Sequence, residues 1–242
     1  MKNRHVQLWW SLAAYRSAVL VVVLGTDHYG GLGRLTLTHQ HYATPFGVLP
    51  TARDLVDELA GALGEEAVFA EELHHRSEHS IELSLVWCHH TREGAPCDVL
   101  PVLCGSITDL AGDERIAWET SVDRFVEVVR GAMNRRRTLV VASADLAHVG
   151  PAFGGQAVGF AERAQLKAAD AALLERVCEG DAEGFLSDIR AVGNRHNVCG
   201  VAPIYLMLRL LGETQGLTVA YALCPADARG TSMVSVGGVV LG

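Results

Sequence analysis

The chain has 242 residues, 49% of them hydrophobic, and a formal net charge of −8. That is enough apolar sequence for one large domain with a substantial core, and the acidic balance excludes a basic nucleic-acid face or an arm for anionic membranes. Seven prolines and no low-complexity run argue against disorder, and six scattered cysteines without a C-x-x-C pair read as reduced, buried thiols of a cytoplasmic protein.

Lys2 and Arg4 ahead of an apolar stretch mimic an export signal, but Arg16 interrupts it and no small-x-small cleavage site follows. The apolar run Ala18–Leu24 is too short to span a bilayer and reads as a strand. Arg34–Thr38 alternates and reads as an edge strand. Thr51 and Asp54 resemble a capping box opening a helix over Thr51–Leu63. The segment "ELHHRSE" before His79 lacks helical amphipathicity and reads as a loop, and Ser80–Cys88 has apolar residues at helical spacing. A strand over Val99–Leu103, a long amphipathic helix over Asp113–Arg136 and a strand over Leu139–Ala142 come next. Three more helices are expected over Glu162–Cys178, Ala182–Val192 and Val201–Leu211. The last strands are Leu217–Leu223 and Met233–Leu241, and these two runs, like Ala18–Leu24, Val99–Leu103 and Leu139–Ala142, look buried on both faces. The alternation predicts a single α/β domain over 1–242, with a mostly parallel or mixed central sheet flanked by helices.

In such folds ligands bind at the carboxyl ends of strands. The strand Ala18–Leu24 delivers Asp27 and His28, and Leu139–Ala142 delivers Asp145 and His148, three residues apart. Cys199 precedes the Val201–Leu211 helix, whose N-terminus favours a thiolate. "SEHSIE" offers Glu78, His79 and Glu82. His28 alone reads equally as a loop-bonding histidine or a ligand. With Asp145 and His148 after a second strand, two histidines and a cysteine or carboxylate make a site for Fe(II) or Zn(II). "HRSEH", His75 to His79, fits the H-x-x-E-H motif of some zinc peptidases, a weaker reading given eleven histidines in the chain. No G-x-S-x-G occurs, and "GGLG" lacks phosphate-loop spacing.

The motifs "LGTDHYG", "ATPFGVLPT", "HHRSEHSIE", "PVLCGS", "SADLAHVGP", "NVCGVAPIY" and "SMVSVGGVV" occur in this order. Together they resemble the Memo family, also called AmmeMemoRadiSam system protein B. The resemblance implies the fold of class III extradiol dioxygenases and a divalent metal, Fe(II) first, with Zn(II) or copper as alternatives. It implies His28 and Cys199 as metal ligands, with Asp145 and His148 close by and His79 as the "EHSIE" histidine. The family's first ligand lies in a Pro-His motif near the N-terminus. Here only His5 can match it, with Arg4 where proline is expected and a shortened strand region before His28.

The chemistry implied is that of a non-haem iron oxidoreductase of dioxygenase type, with His148 or His79 as acid or base and Asp145 orienting an imidazole. A non-catalytic binding or scaffold protein using the same cleft is the alternative, and a zinc peptidase the weaker one. The implied partners are a small molecule or peptide in the cleft and the radical-SAM proteins of the family's bacterial system, with neither nucleic acid nor membrane.

Overall fold

The structure is a computed structural model in which residues 16–242 are described. The described residues divide into two compact units, one ending at Ser143 and the other running from Ala144 to Gly242.

The first unit is built around β1 (Leu20–Thr26), seven consecutive buried residues rich in valine and leucine. β-Branched side chains suit a pleated surface, and burial on both faces is the mark of a central parallel strand. After it come β2 (Leu35–Thr36) and the hairpin of β3 (Tyr42–Thr44) with β4 (Gly47–Leu49). The helices α1 (Arg53–Leu63), α2 (Glu65–Phe69), α3 (His74–Ser77) and α4 (Ser80–Thr91) are next in the chain. β5 (Asp98–Cys104), α5 (Gly112–Arg135) and β6 (Thr138–Ser143) complete the unit. The sheet order is β2-β5-β1-β6. β1 runs parallel to both neighbours, with Leu20 opposite Asp98 on one side and Thr138 on the other. β2 closes the edge antiparallel to β5, where the alternation of residues 34–38 put an edge strand. Val21 and Val23 of β1 pack with Ile81 and Leu85 of α4 and with Val99 and Leu103 of β5. Each such fully buried aliphatic side chain contributes about 1.5–3 kcal/mol.

Two local expectations fail here. Thr51 does not cap α1. It forms a parallel bridge with Val99, its Oγ donates to the Gln40 carbonyl, and Ala52 takes the cap position without a side-chain bond. Sheet pairing thus takes the residue that local sequence assigned to the helix. The segment before His79 is not wholly a loop, since residues 74–77 form the single turn of α3.

The second unit contains β7 (His148–Val149), a short 3-10 turn over Pro151–Phe153, and the helices α6 (Phe160–Cys178), α7 (Ala182–Ala191) and α8 (Val201–Leu211). It ends in β8 (Gly216–Pro225) and β9 (Met233–Leu241). Asp181 caps α7 by accepting from the Gly184 amide at 2.9 Å. β9 sits between β7 and β8, antiparallel to both. The run 217–223, expected to be buried on both faces, lies instead in an edge strand, with Leu217 and Val219 each 44% exposed. An apolar run alone does not distinguish a central strand from an edge.

Cys88, Cys97 and Cys104 are buried as expected, but Cys178 and Cys199 are half-buried and Cys224 is exposed. No described helix is long and apolar enough to cross a membrane.

Candidate metal centre

β1 continues its pairing one residue beyond Thr26, as the Asp27 amide donates to the Cys104 carbonyl at 3.0 Å. Asp27 is therefore still buried, and His28 is the first residue to emerge. The neighbouring element is the start of α4. At Gly25 a Cβ would lie 2.5 Å from Ser80 Oγ and 2.6 Å from Ile81 Cγ1. The bare glycine lets α4 close on β1, and Ser80 Oγ donates to the Thr26 carbonyl at 2.8 Å. This contact carries Glu78 and His79 to the strand end where His28 emerges.

Glu78 organises this strand end. Its side chain is 1% exposed. Oε2 accepts the His28 amide and His28 Nδ1, both at 2.9 Å. Oε1 accepts the amides of His79 at 2.8 Å and Ser80 at 3.2 Å, and His79 Nδ1 lies 3.1 Å away. Burial raises the Glu78 carboxyl, but the hydrogen bonds from His28 and His79 outweigh it and hold the group below the ordinary carboxylate range. The His28 and His79 rings stack, with centroids 5.2 Å apart and planes within 9°. A buried carboxylate that accepts from Nδ1 fixes the proton there and leaves Nε2 as the donor atom toward a metal.

A second set lies beside the first. Asp27 Oδ1 accepts the Tyr29 amide at 3.0 Å, and Oδ2 accepts from His74 Nδ1 at 3.0 Å. Glu71 accepts the Gly31 amide at 3.2 Å. These bonds brace the loop that carries His28. Among the described residues, two groups of side chains thus have donor atoms close enough for one ion, His28 with Glu78 and His79, and Asp27 with Glu71 and His74. Imidazole and carboxylate donors fit a divalent metal such as iron or zinc.

His75 behaves differently. Tyr42 donates to its Nδ1 at 2.7 Å, and its Nε2 donates to the Thr36 carbonyl at 3.0 Å. Burial pushes its pKa down to about 4, ahead of the opposing pull of the Thr36 carbonyl and of Asp27 and Glu72. With both nitrogens engaged, His75 has no lone pair for zinc, which removes one histidine from the H-x-x-E-H reading. His89 is buried in the same manner, bonded to Thr44 Oγ1 at 2.7 Å and to the Gly94 carbonyl at 2.9 Å.

In the second unit, residues 144–147 are not helical, yet Asp145 Oδ2 lies 3.8 Å from His148 Nε2. The pair shares an electrostatic field without a direct hydrogen bond. His148 is held by its amide, which donates to the His196 carbonyl at 2.9 Å, and by an edge-on contact with Phe153. Its Nδ1 is buried without a hydrogen-bond partner among the described residues. Cys199 Sγ lies 3.9 Å from the Asp145 carbonyl. The Gly200 amide donates to that carbonyl at 3.2 Å, and a Cβ on Gly200 would come within 2.4 Å of Ala144 Cβ. The small residue before α8 thus lets Cys199 approach Asp145.

The structure therefore gathers His28 and His79 in one unit, and Asp145, His148 and Cys199 in the other. His5 lies outside the described residues. The residue whose part the sequence did not disclose is Glu78. Its adjacency to His79 was visible, but its bond to His28 depends on the approach of α4 to β1.

The sequence model of the Memo-like protein family matches residues 7–240. A MEMO1 family protein of Thermococcus onnurineus is 26% identical over 226 residues, covering 88% of this chain and 72% of its own length. One from Methanocaldococcus jannaschii is 28% identical over 209 residues, covering 84% and 64%. One from Thermus thermophilus is 30% identical over 201 residues, covering 83% and 55%. The chain spans between about half and three-quarters of these relatives' lengths.

Proposed function

Because the chain belongs to the Memo-like protein family, we propose that it is a divalent-metal protein, with Fe(II) the fitting ion and an oxidoreductase of dioxygenase type the fitting activity. The observation that supports this reading is the His28–Glu78 bond, a buried carboxylate holding an imidazole at a strand end with Nε2 directed away from it. The family resemblance implies a thiolate ligand as well, and Cys199 is the residue that matches it. Fe(II) held by imidazole would keep open positions and supply one-electron chemistry to a small molecule bound beside it.

The chain's own residues handle protons. His148 Nε2 lies 3.8 Å from Asp145 Oδ2, and an imidazole so placed suits the transfer of a proton to or from a bound ligand. Glu78 holds His28 through Nδ1 and so turns Nε2 away from the carboxylate. The cleft's occupant in this reading is a small molecule or a peptide end, and association with radical-SAM proteins is the family's implication.

Anaerobic reconstitution with Fe(II), followed by desalting and metal analysis, tests the proposal. About one Fe(II) per chain is expected in the wild type, with loading abolished in His28→Ala and in Cys199→Ala. Undiminished loading in both variants rejects the site. Absence of stoichiometric metal in the wild type favours the non-catalytic binding reading.

A further inference from the structure

We infer that Asp170 is a positioning residue for His148, acting through a buried hydrogen-bond chain of Tyr221 and Ser235 that ends on the backbone between Asp145 and His148. The inference rests on the reading of His148 as a proton-transferring group and names what holds that group in place.

The chain lies wholly within the second unit. A Cβ on Gly237 would come within 2.8 Å of Leu174 Cδ2, so the bare glycine lets α6 settle on β9. Asp170, one helical turn before Leu174, is thereby brought to Tyr221, which stands opposite Gly237 in the β8–β9 pair. The Tyr221 hydroxyl donates to Asp170 Oδ2 at 2.7 Å. Ser235 hydrogen-bonds the same hydroxyl. Tyr221 has one hydrogen and Asp170 takes it, so Ser235 is the donor in that bond. The Ser235 Oγ in turn accepts the Ala147 amide at 2.9 Å. Two backbone bonds strengthen the grip. The Leu146 amide donates to the Ser235 carbonyl and the Ser235 amide donates to the Ala147 carbonyl, both at 2.9 Å. Ser235 thus holds Leu146 and Ala147, the two residues between Asp145 and His148.

Asp170 gives the chain its direction, because a carboxylate only accepts. Burial, and then the Asp170 carboxylate, push the Tyr221 hydroxyl above its ordinary range, so the phenol keeps its proton to donate. The Ser235 hydrogen is then committed to Tyr221, and its oxygen stays turned to the Ala147 amide. A packing role explains this poorly. Asp170 is fully buried, and its Oδ1 has no hydrogen-bond partner among the described residues. A buried carboxylate with so few donors costs stability rather than adding to it. His148, for its part, depends on its backbone for direction. Its Nδ1 is buried without a partner among the described residues, and its Nε2 stands 3.8 Å from Asp145, beyond hydrogen-bond reach. The backbone is fixed on one side by Ser235 and on the other by the bond from the His148 amide to the His196 carbonyl.

The test uses the full-length chain, free of metal and labelled with nitrogen-15. Asp170→Asn and Tyr221→Phe keep the volumes of the residues they replace and break the chain at two different links. Tyr205→Phe is the control, since it removes another tyrosine–carboxylate bond of the same unit, that to Glu183. In both chain variants the Ala147 amide should exchange with solvent about tenfold faster relative to the amides of α8, the worth of one buried hydrogen bond. The ring-nitrogen resonances of His148, identified by their absence in His148→Gln, should move in the same two variants. Tyr205→Phe should leave both observables as in the wild type. The double variant should do no more than Tyr221→Phe alone, because the two residues act as one chain. Unchanged Ala147 exchange and His148 resonances in both chain variants, or the same changes in Tyr205→Phe, overturn the inference. No part of this test requires a metal, so a failure to load Fe(II) rejects the metal reading and leaves the result at His148 standing.

Discussion

His75 shows how one histidine of eleven is assigned to the fold rather than to chemistry. Its neutral ring accepts from Tyr42 and donates to Thr36, so it must stay unprotonated on Nδ1 to keep the native bonds. Its pKa is about 4 in the folded chain, against 6.5 ordinarily. Between those values the unfolded chain binds a proton that the folded chain does not, so stability rises with pH through this window and is lost as pH falls from about 6.5 to about 4. The difference is worth about 3 kcal/mol at the acid end. Urea unfolding at pH 7 and at pH 5 should show this loss, and His75→Gln should flatten the dependence across the same interval. An equal dependence in the variant would place the titrating group elsewhere. Glu78 acts in the same sense at lower pH. Its carboxyl is depressed below its ordinary 4.5, so its contribution is present above that value and disappears as pH falls through the depressed one.

At the scale of elements, the approach of α4 to β1 decides whether His28, Glu78 and His79 meet at all. Gly25→Ala puts a methyl group within 2.6 Å of both Ser80 Oγ and Ile81 Cγ1. The helix must back away, the Ser80–Thr26 bond opens, and Glu78 is drawn from His28. A stability loss of about 1–3 kcal/mol is expected from overpacking. Metal affinity should fall with it, although no ligand has been touched. Denaturant midpoints and Fe(II) titration measure both, and unchanged metal affinity in a destabilised variant would separate the site from the helix. The same contact marks the limit of what the sequence discloses. β1, β5 and β6 were legible because continuous valine and leucine runs bounded by polar residues have few other uses, and α5, α7 and α8 because their apolar periodicity is long. The candidate ligand His28 was legible as the residue after a strand. Glu78 was not, because its role depends on a bond across fifty residues, set by a glycine whose significance is steric. Thr51 and the run 217–223 were misread for a related reason, since pairing partners decide what local pattern leaves open.

For the molecule as a whole, the net charge of −8 bears directly on any metal measurement. An acidic surface collects divalent cations loosely, and such binding inflates apparent stoichiometry. Salt separates the two kinds of binding. Screening shortens the reach of surface charge from about 10 Å at 0.1 M to about 3 Å at 1 M ionic strength, whereas bonds between a metal and imidazole nitrogen are barely affected. Inner-sphere binding at His28 should therefore persist in 1 M NaCl and should stabilise the native chain by linkage, by about 2.7 kcal/mol at a free metal concentration of 100 Kd. For a chain of this size that corresponds to a rise in Tm of about 5–10 °C. Thermal unfolding with and without Fe(II), kept anaerobic and repeated at both salt concentrations, reads the effect. The wild type should keep its shift in high salt, and His28→Ala should show none at either concentration. A shift that vanishes in 1 M NaCl would assign the binding to the acidic surface, because only a site whose donors are fixed by the fold, as Glu78 fixes His28, holds its ion without help from the long-range field.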